Sequence, residues 1–186
     1  KPTSDYSYYG FKIHEILDME LAGMGQYAHG NQPIQHAIYL YNYAQQPWKT
    51  QEKVRYVMDN LYGEGADGYC GDEDNGQTSA WFVFSSLGFY PVAPVTGQYI
   101  LGSPLFREVE IDLNNGKTLR INAKNNSENN IFIKSFKFNQ LESNKNWVDH
   151  KDLRNGGVID FEMSNTPNLD WGSAINSVPF SMTKIK

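Results

Sequence analysis

Three carboxylates stand side by side in Gly71-Asp72-Glu73-Asp74-Asn75-Gly76-Gln77. Acidic groups this dense have two main uses. They hold a hard cation such as calcium through oxygen, or one takes a proton from water while a neighbour keeps that water in place. In an extended segment residues i and i+2 face the same way, so Asp72 and Asp74 are the pair expected to converge. A helix is expected from Gln77, and the positive end of its dipole favours charged carboxylates before it. An EF-hand is excluded, because counting from Asp72 puts Gln77 where that loop needs Gly and Val83 where it needs Glu. A solvated acidic turn that only starts the helix is the simpler alternative.

A second polar cluster is His29-Gly30-Asn31-Gln32-Pro33, with His36 one turn on. Gly30 permits tight backbone geometry, and the Asn and Gln oxygens are hard ligands suited to calcium. An ordinary helix start with a satisfied histidine is the other reading. His14-Glu15 is a third polar pair, in isolation a surface feature.

The elements that must position these residues change character near Pro91–Gly97. Before it, apolar residues keep helical spacing: Ile13, Ile16, Leu17 and Met24, then Ile34, Ala37, Ile38 and Tyr41, then Val54, Val57, Met58 and Leu61 behind a capping Thr50. The run Ser79–Phe84 is apolar on most sides and is expected to be deeply buried, with Gly88 closing the helix. After the break the pattern alternates. Val109, Ile111 and Leu113 lead to a hairpin turn at Asn114-Asn115-Gly116 and return through Leu119, Ile121 and Ala123. Parity shifts between Ile133 and Phe136, which predicts a bulge, and Val158–Met163 adds a strand. The expected class is α+β, with a helical segment 1–94 and an antiparallel, sandwich-like β-rich segment 95–186.

A formal charge of −5 over 186 residues argues against nucleic acid and anionic membrane surfaces as partners. No run is apolar enough to insert in a membrane. Cys70 is the single cysteine, which excludes an internal disulfide and a thiolate zinc cluster. The chain begins with Lys1, so a segment of a longer protein is expected and a missing targeting sequence says nothing about location.

The residues also carry a family resemblance. His29-Gly30-Asn31-Gln32-Pro33, Tyr39-Leu40-Tyr41-Asn42-Tyr43, Gln46-Pro47-Trp48-Lys49-Thr50-Gln51 and Asp67-Gly68-Tyr69-Cys70-Gly71-Asp72-Glu73-Asp74-Asn75-Gly76-Gln77 resemble glycoside hydrolase family 92. Gly88-Phe89-Tyr90-Pro91-Val92, Gly102-Ser103-Pro104-Leu105-Phe106, Asn155-Gly156-Gly157 and Trp171-Gly172 carry the likeness through the second half. The resemblance implies the last helices of an (α/α)6 barrel followed by a β segment. It implies a calcium-dependent exo-α-mannosidase that inverts the anomeric centre, with acid and base roughly 6.5–9.5 Å apart.

On this likeness Asp74 is the principal base and Asp72 its partner. Asn31 and Gln32 stand at the calcium site, although many members carry Glu where this chain has Gln32. His14 and Glu15 resemble a pair that α-1,2-specific members use to hold the next mannose, and His36 and Gln77 are further substrate-site candidates. The general acid lies on a Glu-Gly-Asn-type motif that this chain lacks, so it is expected before residue 1. The implied partners are a mannose-containing glycan, such as an N-glycan, and the N-terminal remainder of the parent chain. The implied location is bacterial periplasm, envelope or medium. Two readings compete: a carbohydrate-binding module with Trp147 and Trp171 as stacking platforms, and a simple calcium-binding protein.

Overall fold

The computed structural model describes residues 10–182, so the outermost ends of both expected segments, 1–9 and 183–186, lie outside the described residues. Helix α1 spans His14–Ala22 and buries Ile16, Met19 and Ala22, while Leu17 stays 45% exposed. It ends at Gly23, whose left-handed φ of 63° lets its N–H reach the Met19 carbonyl. Helix α2, Pro47–Asn60, has Pro at its first position, where no backbone donor is needed. Its buried face carries Val54, Val57 and Met58, followed by buried Leu61. Thr50, expected to cap this helix, lies inside it and donates to the Ile38 carbonyl at 3.0 Å.

The expected helix over Ile34–Tyr41 is instead a pair of 3₁₀ turns, Gln32–Ile34 and Ala37–Tyr39. Their tighter i→i−3 bonding leaves carbonyls free that an α-helix would use. Tyr39 N–H bonds His36 O, so Gln35 O accepts the Trp81 indole; Asn42 N–H bonds Tyr39 O, so Ile38 O accepts Thr50. Tertiary hydrogen bonds thus outcompete the helical period. Helix α3, Gln77–Ser86, starts where the sequence indicated. It is less enclosed than expected, since Trp81 is fully buried but Val83 is 56% exposed.

The remaining strands are β1 Phe89–Tyr90, β2 Gln98–Leu101, β3 Glu108–Asp112, β4 Thr118–Lys124, β5 Phe132–Phe138, β6 Leu141–Glu142, β7 Trp147–Asp149 and β8 Gly157–Ser164, with a short helix α4 at His150–Leu153. They form two sheets, ordered β1-β2-β7 and β3-β4-β8-β5-β6. The β3–β4 hairpin and the register shift between Ile133 and Ser135 match the alternation and its parity break. One pairing departs from the antiparallel expectation: β4 runs parallel to β8. Alternation fixes which face a residue occupies, not the direction of a distant strand.

Both sheets share one core. Phe89, Leu101 and Val148 of the smaller sheet pack with Ile121, Ile133, Phe136, Ile159 and Phe161 of the larger. A second core joins the helices to the smaller sheet through Tyr39, Val54, Val57, Trp81, Tyr90 and Ile100. Buried polar groups tie α2 to the β half. Gln51 Oε1 accepts the Ile133 N–H at 2.9 Å, and Arg55 donates to Pro104 O at 3.0 Å and Asn126 Oδ1 at 2.9 Å.

Replacing Arg55 with Met keeps the apolar stem but strands those acceptors in a site 4% exposed. The expected loss of unfolding free energy is about 2–3 kcal/mol, read as a lower urea midpoint at unchanged slope.

Candidate active site

The acidic loop and the start of α3 are one structure. The Gln77 and Thr78 amides donate to the Asp74 and Glu73 carbonyls. The Glu73 carboxylate accepts the Gly76 N–H at 2.8 Å, the Ser79 N–H at 3.3 Å and the Ser79 hydroxyl at 2.6 Å. The Ser79 hydroxyl and the Gly76 amide hold Glu73 below the usual carboxylate range. The first-turn donors of α3 are therefore satisfied from within the loop. Of the three carboxylates, it is Glu73 that serves the helix.

The loop is not extended. Asp74, Asn75 and Gly76 follow one another at φ 50°, 57° and 92°. Three left-handed residues in a row, starting at Asp74, break the period-two argument that Asp72 and Asp74 face the same way. Both are exposed, and neither side chain hydrogen-bonds another described residue.

The His29–Pro33 bend lies directly against this loop. A Cβ on Gly30 would stand 2.7 Å from the Gly71 Cα and 2.9 Å from the Cys70 carbonyl; a Cβ on Gly71 would stand 2.5 Å from the Gly30 Cα. Only two glycines allow that crossing. Asp18, buried on α1, completes it: its Oδ2 lies within 3.0 Å of either added Cβ and has no hydrogen-bond partner. Burial pushes the Asp18 carboxyl above its ordinary range; His14 opposes that shift, while Asp72 and Glu15 add to it. His14, Glu15 and Asp72 are thus near enough for their charges to act on Asp18. His14 and Glu15 open α1 and pair at 3.4 Å.

His29 itself is buried structure. Its ring is 0% exposed, edge-on to Trp81 at 4.4 Å, with Nδ1 2.6 Å from the Tyr27 hydroxyl and Nε2 2.7 Å from the Tyr62 hydroxyl. Tyr62 donates its one proton to Thr78 O at 3.2 Å, so it accepts from His29 Nε2–H and Tyr27 donates to Nδ1. Burial lowers the His29 pKa to about 3, which keeps the ring neutral. Gln77 faces inward, its amide N–H groups going to Gln35 Oε1 at 3.4 Å and the Tyr90 hydroxyl at 2.9 Å. His36 is half-buried, and its carbonyl serves the second 3₁₀ turn.

The profile of the glycosyl hydrolase family 92 catalytic domain matches residues 5–165. The chain belongs to glycosyl hydrolase family 92. This family 92 chain superposes on the GH92 α-mannosidase BT3965 of Bacteroides thetaiotaomicron with a TM-score of 0.84 at 38% identity, covering 87% of this chain and 22% of that one. Against the inverting mannosidase BT2199 of the same organism the TM-score is 0.81 at 50% identity, covering 96% and 24%. An uncharacterized secreted glycosidase of Arthroderma benhamiae is 28% identical over 156 residues, 82% of this chain and 20% of that protein. The chain therefore spans about a fifth to a quarter of the length of these relatives.

Oxygen donors for a hard cation are present beside the crossing. The unpartnered Asp18 Oδ2 is one, and the Asn31 amide lies next to Gly30. Gln32 has a buried Nε2 without an acceptor; turning that amide over puts its oxygen inward, the orientation a cation requires. Among the described residues no three His, Cys, Asp or Glu side chains could hold a metal by themselves. A calcium ion there fits only with amide, carbonyl and water oxygens added to the carboxylates.

The structure also weakens one competing reading. Trp171 is 4% exposed and donates to Ser143 O at 3.1 Å, and half-buried Trp147 donates to Val178 O at 3.0 Å. Trp171 is a core residue, not an open stacking platform. Asp18, Gln35 and Tyr62, which contact the bend or the acidic loop and the start of α3, were not singled out in the sequence. Asp18 had one signal: it sits one turn after His14, between buried Ile16 and Met19.

Two outcomes follow. Gly71→Ala forces the bend and the loop apart and is expected to lower stability by about 1–3 kcal/mol, measured by urea unfolding. Cys70, pushed up to about 11 by burial and by Asp18, is expected to react with iodoacetamide at pH 8 far more slowly than a free thiol, and at the free rate once unfolded in urea.

Proposed function

We propose that the chain supplies the base side of a calcium-dependent, inverting exo-α-mannosidase that removes terminal mannose from glycans. The carrying observation is the acidic loop, braced against the Asn31-bearing bend at Gly30 and Gly71 while Asp72 and Asp74 remain solvent-exposed. Family membership and the 50% identity to the inverting mannosidase BT2199 support the same reading.

In this mechanism Asp74 accepts a proton from a water that attacks the anomeric carbon opposite the leaving oxygen. Asp72 accepts a hydrogen bond from that water and orients it. A general acid outside residues 1–186 protonates the leaving oxygen, so an α-mannoside yields β-mannose. Asn31, Gln32 and Asp18 would hold the calcium ion, which when bound would supply positive charge and Lewis-acid polarisation to the sugar.

The ordering of Asp74 over Asp72 rests on the family likeness. His14 and Glu15, on the exposed start of α1, hold the next mannose, with α-1,2 the favoured linkage. His36 and Gln77 complete the substrate side, Gln77 by bracing it through Gln35 and Tyr90. The cell envelope or medium is the proposed location, supported by the secreted fungal relative. Among the described residues no helix is long and apolar enough to cross a membrane.

The test uses the full-length protein that carries this segment. Asp74→Asn is expected to lower kcat roughly a thousandfold, within the range of a lost general base. NMR should show β-mannose as the first-formed product; α-mannose would refute inversion. His14→Ala is expected to lower kcat/KM on α-1,2-mannobiose while sparing an aryl α-mannoside, and equal losses on both would remove the linkage assignment. The chain 1–186 by itself should turn over neither.

A further inference from the structure

Asp72 forms one hydrogen bond with the rest of the described residues, and it is made by its main chain. The Thr78 hydroxyl donates to Asp72 O at 2.9 Å. Buried as it is, the Thr78 hydroxyl must find an acceptor, and it finds Asp72 O while the Thr78 N–H is held separately by Glu73 O. Serine and threonine hydroxyls more often bond locally within their own turn. Thr78 is 1% exposed and reaches across the loop instead.

The polarity of the contact is forced. Gln35 Nε2 donates to Thr78 Oγ1 at 3.2 Å, and a carbonyl can only accept, so the single Thr78 proton goes to Asp72. The other Nε2 hydrogen of Gln35 goes to His29 O at 3.2 Å, and its Oε1 accepts from Gln77 at 3.4 Å. Gln35 is 0% exposed. Flipping its amide would set oxygen against the His29 carbonyl and lose two bonds, so this side chain has one orientation. One buried amide therefore grips the bend that carries Asn31 and, through Thr78, the loop that carries Asp72.

We infer that Gln35 and Thr78 are positioning residues that fix Asp72 relative to the His29–Pro33 bend while leaving its carboxylate in solvent. This rests on the reading of Asp72 and Asp74 as the water-activating pair. Thr78→Val keeps shape and burial but removes the donor. The Asp72 main chain is then released, and a carboxylate displaced by a fraction of its reach no longer meets the attacking water.

The experiment compares Thr78→Val, Thr78→Ser, Gln35→Met and Asp72→Asn in the full-length protein on an aryl α-mannoside. Thr78→Val is expected to lower kcat roughly a hundredfold, the scale of a small misplacement at the reacting centre, with KM little changed. Thr78→Ser, which keeps the hydroxyl, should recover most of the rate. A Thr78→Val protein with wild-type kcat overturns the inference, provided Asp72→Asn is impaired. Wild-type turnover by Asp72→Asn overturns the base assignment itself, and with it this inference. If Thr78→Val does not melt cooperatively, Gln35→Met is read in its place. If neither variant melts cooperatively, the pair is a folding element and the positioning role is overturned.

Discussion

The site depends on a steric constraint: two chain segments cross at Gly30 and Gly71 with no room for a Cβ on either. Backbones approach this closely only where side chains are absent. The approach puts the bend after α1 against the loop before α3, and it drives the Asp18 carboxylate into the same corner without a hydrogen-bond donor. An unpaired buried carboxylate is costly, and the charges of Glu15 and Asp72 add to that cost. A hard cation beside Asp18 would offset it. The crossing therefore makes an electrostatic demand as well as a shape, and both point to the same few residues.

Around that crossing the backbone gives up helical regularity for tertiary bonds. The 3₁₀ turns over Gln32–Ile34 and Ala37–Tyr39 release the Gln35 and Ile38 carbonyls to Trp81 and Thr50. The directed series Tyr27, His29, Tyr62, Thr78 runs beneath them, each polar group meeting a definite partner. A neutral His29 can serve both tyrosines, as donor to one and acceptor from the other; a charged one would have two donors and nothing to accept. Low His29 basicity is thus a consequence of burial that the hydrogen-bond pattern then uses. Rigid support of this kind is what a short exposed loop needs if its carboxylates are to act at a fixed place.

Legibility in the sequence followed the range of each interaction. Alternation in Val109–Leu113 and Leu119–Ala123 gave the β3–β4 hairpin, and the parity break at Ile133 gave the bulge, because these are local properties of a pleated strand. The β4–β8 parallel pairing was not readable, since it joins residues far apart in the chain. The period of Ile34, Ala37, Ile38 and Tyr41 correctly marked a buried face around Ile38. It misstated the backbone, because the carbonyls that decide between α and 3₁₀ bond Trp81 and Thr50. The acidic loop and its partner bend stood out in the sequence as candidates by their residue types. Their contact was not legible there, and neither was the role of Asp18, which looks like any helix aspartate until Gly30 and Gly71 close over it.

The division of labour among Asp72, Glu73 and Asp74 follows from the same local physics. A left-handed turn through Asp74 and Asn75 costs about 1 kcal/mol per residue, and something must hold it. Glu73 does so by binding Gly76 and Ser79, with Tyr69 in turn donating to Ser79 at 2.7 Å. Ser79 gives its own proton to Glu73, so the Tyr69 proton can only point toward Ser79. The middle carboxylate is thereby committed to structure and depressed in basicity, while its neighbours keep free oxygens in solvent. Three adjacent acids look redundant in the sequence. In the fold Glu73 anchors the turn that carries Asp74, and the Thr78 hydroxyl holds the Asp72 main chain, so both outer carboxylates stay where water can reach them.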